Sequence, residues 1–358
     1  MPLASFLAEV ASQDRLASLT RTDIGEASQQ AAMLDCVERR YYQTASGSYH
    51  GRFERFAVSG LSFCRESQCR SIMRLIAMPD DLVTLFLPSD RSAMRVGVRE
   101  LGPGTVAFQP GASQFDVYTR DESEVTFLLV DAQRFQRAAL GMDEALWAPR
   151  LAQGGLLHLR NQDFLRQVVS QALQAAPQWL STDQNADWQD SLARATLSAL
   201  LQELGAAADA QEPGGRAFLG HLHAWRMASR ARDFIEASVH RRLTVMDVCL
   251  ELGVSRRTLQ DVFHRVLDMN PVAYLRMVRL NRARQELCNP GLPLPTVGEI
   301  AARWGFLHPS QFSVDYQRMF GELPSQTLRR SAGLPVVPPR AAAPRPADRA
   351  GAHDARGR

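Results

Sequence analysis

The sequence predicts an α+β protein in which a small β-barrel with flanking helices precedes an all-α region. About eight short, β-prone runs lie close together between residues 53 and 130, separated by turn signals. Further on, residues 252–276 and 304–329 repeat one pattern: a glycine, a helix-spaced apolar stripe and a proline. A repeated pattern of this kind is typical of helix-turn-helix units, so we expect two such units joined by a long helix.

The N-terminal residues precede the β-rich part, and their apolar spacing predicts helices. The helix-spaced residues are Phe6, Leu7, Val10, Ala31, Leu34 and Val37. The β-rich part is expected at about residues 50–130. Its runs are FERFAV, LSFC, IMRLIAM, LVTLFL, MRVGV, TVAFQP, FDVYT and EVTFLLV. Eight short strands at this spacing favour a sandwich or a barrel.

The rest of the chain divides into three parts by composition and periodicity. Residues 131–205 have helical spacing, and the small, polar stretch GAAADAQEPGG at 205–215 is predicted to be a linker. A helix from Arg216 to about His240 then leads into the repeated units. Residues 331–358 are rich in proline, alanine and arginine and are predicted to be disordered. We therefore expect domains at 1–215 and 216–330, followed by a tail at 331–358.

The net charge of +3 conceals an uneven distribution along the chain. All 41 basic residues are arginines, since the sequence contains no lysine. Residues 1–215 carry a balance of −7, residues 216–330 carry +7, and the tail carries +3. Guanidinium groups bind phosphates and guanine edges with two hydrogen bonds. The charge pattern therefore indicates a polyanionic partner for the C-terminal part alone.

The two repeated units align residue by residue when Gly253 is matched to Gly305 and one insertion after the glycine is allowed. The matched apolar and proline pairs are Leu259 with Phe312, Phe263 with Tyr316, Leu267 with Phe320, Pro271 with Pro324, Val245 with Val297 and Val248 with Ile300. These positions give each unit a first helix, a tight glycine turn and a second helix whose apolar stripe packs on the first.

Helix start signals recur at the same places in both units. Ser255 is a good N-cap for the second helix of unit one, whereas unit two has His308 as a poorer cap and Pro309 at the first helical position. The first helices begin with capping boxes, formed by Thr244 with Asp247 and by Thr296 with Glu299.

A long helix is predicted between the units, in the stretch NPVAYLRMVRLNRARQELCNPG. About 17 helical residues would span about 26 Å. Two recognition helices on an arm of that length can enter successive major grooves, which lie about 34 Å apart on one face of DNA. Most arginines of this helix are expected to face solvent or phosphate rather than to contact bases; the four are Arg276, Arg279, Arg282 and Arg284.

The second unit carries a motif that resembles the signature of AraC/XylS-type transcription regulators, over about residues 220–330. The matching residues are Ile300, Ala301, Gly305, Phe306, Phe312, Gly321, Pro324 and Arg329. With WGF, QF, DYQ and PSQTL, the unit is most similar to the ethanolamine-operon-regulator branch. Two departures stand out: Asp268 and Asn270 occupy a break where the family has Gly-x-Ser/Thr, and Tyr316 replaces the commoner Phe.

The resemblance implies a one-component regulator, more often an activator than a repressor. In this family a cupin-like β-barrel ahead of the DNA-binding region usually serves as an effector-sensing and oligomerisation domain. The implied partners are double-stranded operator DNA, a small-molecule effector, RNA polymerase if the protein activates, and a second copy of the chain in a homodimer. The identity of the effector and the residues that bind it do not follow from the sequence.

The candidate DNA-binding residues lie on the outward faces of the two recognition helices. On the first they are Arg256, Arg257, Thr258, Gln260, Asp261 and His264, and on the second Ser310, Gln311, Ser313, Gln317 and Arg318. Arg257 suits guanine and Gln260 suits adenine, at positions that contact bases in the family. Asp261 can accept a hydrogen bond from cytosine N4 or orient Arg257. The short polar groups of unit two suit phosphate positioning.

Two other hypotheses remain open. The helical hairpins could serve as a protein-interaction scaffold, or the barrel could be a metal-dependent enzyme fused to a DNA-binding module. Residues 1–215 contain only His50 and His158, without an H-x-H cluster, and the chain has no GxSxG or GxxxxGK[ST] motif. We therefore expect no enzyme activity, metal or other cofactor. Without an apolar run of ~18 residues or a secretory signal, we expect no membrane contact and a cytoplasmic protein.

Overall fold

The computed structural model describes residues 17–88, 94–102, 104–181, 186–209, 216–239, 243–291 and 293–334. It confirms the predicted fold class, with antiparallel sheets followed by a helical region. Among these residues, no helix is long and apolar enough to cross a membrane. The separation into independently folding units at 1–215 and 216–330 stays a prediction.

Two antiparallel sheets face each other in the N-terminal half. The larger has the order β1-β3-β4-β11-β6-β9-β12-β13 and the smaller the order β2-β5-β10-β7-β8. The strands are β1 Ser18–Ile24, β2 Glu38–Gln43, β3 Gly51–Val58, β4 Leu61–Gln68, β5 Ile72–Ala77, β6 Leu82–Pro88, β7 Met94–Val96, β8 Arg99–Leu101, β9 Thr105–Gln109, β10 Gln114–Thr119, β11 Ser123–Asp131, β12 Gly155–His158 and β13 Ala208–Asp209. All eight predicted runs are strands.

The helical prediction for residues 1–45 is wrong where the structure describes them. Only α1, Ala27–Ala31, is helical, and the residues on either side form β1 and β2. Ala31 ends this helix, whereas Leu34 and Val37 lie beyond it, and all three pack into the core between the sheets. Residues 18–24 are extended because β1 pairs antiparallel with β3 along its whole length. Phe6, Leu7 and Val10 lie outside the described residues.

The two faces of the larger sheet serve two different cores. Two residues of β3 illustrate this. Phe53 packs between the two sheets, whereas Phe56, an odd number of residues further on and therefore on the opposite face, packs under the helices. Those helices are α2 Ala132–Met142, α3 Glu144–Gln153, α4 Phe164–Ser181 and α5 Ala186–Ala206. Strand β12 interrupts the region predicted to be all helical, because residues 155–158 pair with β9 and extend the larger sheet.

The C-terminal helices enclose a third core. They are α6 Arg216–Ser238, α7 Val245–Leu252, α8 Arg256–Leu267, α9 Pro271–Cys288, α10 Val297–Arg303, α11 Pro309–Phe320 and α12 Pro324–Ser331. Phe263, Tyr274, Phe312 and Tyr316 are fully buried there. The tail predicted at 331–358 begins at the end of α12, and from residue 335 onward it lies outside the described residues.

Candidate nucleic-acid interface

The glycine turn that the sequence predicts is present in both units. Gly253 between α7 and α8 has φ +65°, and Gly305 between α10 and α11 has φ +80°. Both angles lie in the left-handed region, which glycine adopts without the steric cost that a Cβ brings. At Gly305 space is also limited, because an added Cβ would lie 3.3 Å from the guanidinium carbon of Arg279. The two turns therefore set the angle between the helices of each unit.

The predicted helix caps are confirmed by hydrogen bonds. Both threonines accept from the backbone N–H three residues on, and both acids accept in return from the threonine N–H at 2.7 Å, in the pairs Thr244 with Asp247 and Thr296 with Glu299. Hydrogen bonds from the hydroxyl and N–H of Thr244 lower the pKa of Asp247, and those from the N–H and hydroxyl of Thr296 lower the pKa of Glu299. Ser255 caps α8 by accepting from Thr258 N at 3.1 Å, whereas the His308 side chain makes no capping bond to α11.

Helix α8 ends at a residue that adopts a left-handed conformation despite its side chain. Asp268, which stands where the resembling family has glycine, has φ +55° and donates its N–H to His264 O at 3.2 Å. Aspartate tolerates this region better than most residues other than glycine. The departure from the family pattern thus leaves the helix end intact.

Every DNA-binding candidate on α8 is exposed. Their opposite face carries the buried stripe of Leu259, Val262, Phe263, Val266 and Leu267. The exposed set is Arg256, Arg257, Thr258, Gln260, Asp261 and His264. Thr258 is partly engaged, since its hydroxyl lies 2.8 Å from that of the N-cap serine. The helix therefore presents a continuous polar and basic face to solvent.

The candidates on α11 are also at the surface, but two of them already have partners within the helix. Ser310, Gln317 and Arg318 are exposed, as is Gln311, while Ser313 is half-buried. The Gln311 amide donates to Asp315 Oδ1 at 3.0 Å, and the Ser313 hydroxyl donates to Pro309 O at 3.0 Å. Those intrahelical bonds would have to break or be shared before either side chain bonded a base.

Two exposed residues on these faces escaped the sequence prediction. Arg265 lies in the last turn of α8 and is exposed. The repeat alignment would have identified it, because it matches Arg318 of α11. Val314 lies in the middle of α11 with its side chain about half exposed. Its apolar character made it resemble a core residue.

The connecting helix α9 is the arm between the units, and its arginines contact other parts of the protein. Arg276 is exposed to solvent as expected, but Arg284 is buried and Arg279 and Arg282 are half-buried. All four pair with groups of the protein. Arg276 forms an ion pair with the buried Asp315 of α11. Arg279 donates to Leu243 O at 2.7 Å, just before α7. These contacts fix both units to the same arm.

The other two arginines join the arm to the rest of the protein. Arg282 donates to Glu236 Oε2 of α6 at 2.6 Å, and Tyr42 of β2 donates to the same oxygen at 2.5 Å. Arg284 forms a two-bond ion pair with Glu26, just before α1. The side chains of Arg284 and Glu26 are only 8% and 13% exposed, so solvent screens this pair weakly.

The N-terminal half also contacts the end of a recognition helix directly. Gly47 N donates to Met319 O, in the last turn of α11, at 2.9 Å. The Gln43 side chain donates to the same carbonyl at 3.1 Å. In addition, Gln43 and Asn281 of α9 exchange two hydrogen bonds of 2.9 and 3.0 Å through the Gln43 backbone. The end of β2 is therefore bonded to both α9 and α11.

The outer face of the smaller sheet packs on the helical region near Trp225. Asp116 of β10 accepts from Trp225 Nε1 at 3.0 Å and from Arg232 Nη2 at 3.2 Å. The side chains of Asp116 and Arg232 are 4% and 5% exposed. Burial lowers the pKa of Arg232, but Asp116, Tyr274 and Asp233 together outweigh burial, so the pKa of the arginine is raised. The contact with α6 is thus a buried ion pair.

The inner face of the same sheet lines a small cavity between the two sheets, of about 50 Å³. Most of its wall is apolar, but Arg39, Arg74, Glu66 and Tyr41 also line it. Arg39 Nη1 lies 2.7 Å from Glu66 Oε1, and the Tyr41 hydroxyl donates to Glu66 Oε2 at 3.0 Å. Burial raises the pKa of Tyr41 to about 12. No histidine lines this cavity in the part of the chain that the structure describes.

Comparisons with known proteins place residues 248–330 in the family described as "Helix-turn-helix domain". The chain is 40% identical over 99 residues to the probable thc operon regulatory protein of Rhodococcus erythropolis, and 34% identical over 101 residues to XylDLEGF operon transcriptional activator 1 of Pseudomonas putida. Each match covers 28% of this chain and 30% of the relative. The chain therefore spans less than a third of the length of these relatives.

Two solved structures are similar to the chain at low TM-scores. The AraC-like transcriptional activator CuxR is 18% identical, with a TM-score of 0.37 over 75% of this chain and 96% of that one. A probable AraC family regulator from Rhodopseudomonas palustris is 33% identical, with a TM-score of 0.28 over 30% of this chain and 97% of that one. The family match shows that residues 248–330 of this chain form a helix-turn-helix domain, which is similar in sequence to parts of these two operon regulators.

Proposed function

We propose that the chain is a transcription regulator, an activator that responds to a small molecule and binds two adjacent major grooves of operator DNA. The observation that carries this proposal is the pair of exposed recognition-helix faces held by ion pairs and hydrogen bonds to one connecting helix. Helix α9 has 18 residues and is about 27 Å long, which suits two grooves about 34 Å apart. One chain then binds two half-sites without a partner copy.

The proposed contacts of the two recognition helices are of two kinds, with bases and with phosphates. On α8, Arg257 and Gln260 would bond guanine and adenine edges, and Asp261 would accept from cytosine N4. The remaining exposed candidates on both helices would position the protein on phosphates. Arg265 and Arg318, which match each other in the repeat, extend this basic surface at the ends of the helices.

A salt titration separates DNA binding from the rival scaffold hypothesis. We would measure the affinity of the full chain for DNA by fluorescence anisotropy between about 50 and 200 mM salt. Contacts with several phosphates release counterions, so the affinity should fall steeply and log-linearly with salt. A scaffold that binds proteins through the hairpins would show no DNA affinity even at low salt. A salt slope that is shallower in an Arg256→Ala, Arg318→Ala double variant would assign part of the slope to the recognition helices.

The proposed effector site is the cavity between the sheets, because its wall is a single sheet thick on the side of the DNA-binding region. In β10, Phe115 and Val117 line the cavity while Asp116 between them bonds Trp225 and Arg232. In β2, Tyr41 lines the cavity, while the next residue, Tyr42, donates to Glu236 of α6. Successive side chains along a strand point to opposite faces of the sheet. A ligand that shifts either strand would therefore shift a contact with the helices.

The charges of the cavity limit the kind of effector. Two guanidinium groups face one carboxylate, so the wall favours an anionic or neutral ligand over a cationic one. The similarity of unit two to the ethanolamine-operon-regulator branch would instead favour an amine. Selection of DNA sites by the full chain, with and without small carboxylates or amines, decides between them. An effector changes DNA affinity only if it binds the two conformations differently.

The remaining partners follow from the same role. Activation requires contact with RNA polymerase, and the name of the Pseudomonas putida relative, a transcriptional activator, supports activation over repression. Residues 1–215 would sense the effector and could also join two copies of the chain. Size measurement of the full protein by light scattering, with and without operator DNA, tests the second copy.

A further inference from the structure

The recognition helix α11 has one apolar side chain in the centre of its exposed face. The buried residues of the helix are Phe312, Asp315, Tyr316, Met319 and Phe320. Successive residues of an α-helix are rotated by about 100°, which puts Val314 opposite the middle of that buried set. Val314 is 51% exposed. Its neighbours one turn away on this face, Ser310, Gln317 and Arg318, are polar.

An exposed valine at this place is not explained by the stability of the helix. Valine is a poorer helix former than alanine, because its branched side chain loses rotamer freedom against the preceding turn. Half of its surface remains in water, so its burial contributes little. The side chain instead has the chemistry of a groove contact. The thymine C5-methyl is the apolar group that base pairs present in the major groove, and apolar side chains recognise it.

The repeat supports a base-facing position. Matching Leu259 to Phe312 puts Asp261 of α8 at the place that Val314 occupies in α11, and both are exposed. Two polar groups on α11 are less available, since Gln311 bonds Asp315 and Ser313 bonds Pro309 O. Val314 is the apolar group at the centre of this helix face, between the polar Ser310, Gln317 and Arg318.

We propose that Val314 reads the C5-methyl group of a thymine in the half-site bound by the second unit. Asp261 presents the opposite chemistry to the corresponding base pair of the other half-site. The operator is accordingly asymmetric, even though the two units share one fold. This inference rests on the proposed DNA-binding function and adds the chemical identity of one base.

The test removes the methyl group from the DNA and the side chain from the protein in turn. A site selected from random DNA by the full chain is remade with each thymine replaced singly by deoxyuridine, which lacks only the methyl group. At one position the wild-type protein should lose about fourfold in affinity, the effect of one buried methyl-sized group. Val314→Ala should bind the thymine site more weakly by a similar factor and be indifferent to deoxyuridine there.

A matched control is Leu250→Ala, which removes an exposed apolar side chain from α7 outside the recognition helices. This variant should keep the wild-type response to deoxyuridine. A wild-type protein indifferent to deoxyuridine at every thymine would overturn the inference, as would a Val314→Ala variant that keeps the full response. In either case the proposed function would stand, because a specific site had been selected. If the wild-type chain selects no DNA at all, both the inference and the proposed function fail.

Discussion

The buried ion pair between Asp116 and Arg232 should hold the smaller sheet against α6, and its removal should be costly. The two side chains are 4% and 5% exposed, and their charged atoms Oδ2 and Nη1 lie 3.1 Å apart. Arg232→Met leaves a buried carboxylate with Trp225 Nε1 as its remaining contact from α6, and Asp116→Asn leaves a buried guanidinium without its counter-charge. Removing one partner of a buried pair typically costs about 3–5 kcal/mol in the free energy of unfolding.

The double variant distinguishes the pair from the individual side chains. When both charges are absent, no unpaired charge is buried. Replacing a buried ion pair by uncharged groups often changes the stability little. We therefore expect the Asp116→Asn, Arg232→Met protein to be more stable than either single variant. The interaction energy from the double-mutant cycle should exceed about 2 kcal/mol.

The assay is urea unfolding of the full chain, followed by tryptophan fluorescence and circular dichroism. Glu38→Gln is the control, because it removes an ion pair with Arg40 whose side chains are 65% and 43% exposed. Such a surface change should alter the free energy of unfolding by no more than about 0.5 kcal/mol. If the loss of unfolding free energy in the double variant equals the sum of the losses in the two single variants, the argument is refuted. The ion pair would then not stabilise the contact between the sheet and the helix.

Three further predictions concern the DNA-binding region. Arg257→Ala should weaken DNA binding by about 1–3 kcal/mol and relax the base preference at one position, which site selection measures. A loss of affinity that is the same for all DNA sequences would make Arg257 a phosphate contact. Gly305 has φ +80°, so Gly305→Ala should lower the free energy of unfolding in urea by about 1 kcal/mol or more. Gly298→Ala, inside α10, should leave this free energy unchanged or raise it. Equal effects of the two substitutions would contradict the role of the turn. Glu299 has its pKa lowered below 4.5 in the folded protein, so its capping contribution is present above pH 4.5 and is lost as the pH falls through the folded-state value. Glu299→Gln should therefore flatten the fall in unfolding free energy between pH 6 and 3, and an unchanged pH profile would count against the capping box.

The sequence predicted those features that depend on local patterns. The helix-turn-helix units follow from glycine turns, caps and apolar stripes that lie within about 25 residues of each other, and the structure contains them at the predicted places. The eight predicted strands were equally local, since their alternating or continuous apolar runs end at turn signals. Helix α8 even ends at Asp268, the predicted departure from glycine.

Features that depend on distant partners were not predictable from one sequence. Strand β1 exists because β3, about 30 residues away, pairs with it, and its own residues show no strong β pattern. The arginines of α9 looked like solvent or phosphate contacts because their partners within the protein lie far away in sequence. Glu26 is the clearest case, since it lies 258 residues before Arg284. Charge counting alone therefore overstates the basic surface available to DNA.

The central claim is that one chain binds two successive major grooves through α8 and α11. Hydroxyl-radical footprinting of the full-length protein on a selected site tests it most directly. The account predicts two protected patches on one face of the DNA, separated by about one helical turn of 10–10.5 base pairs. Substitution of Arg257 should weaken protection in one patch, and substitution of Arg318 in the other. A single protected patch, or two patches that both respond to Arg257 alone, would contradict it.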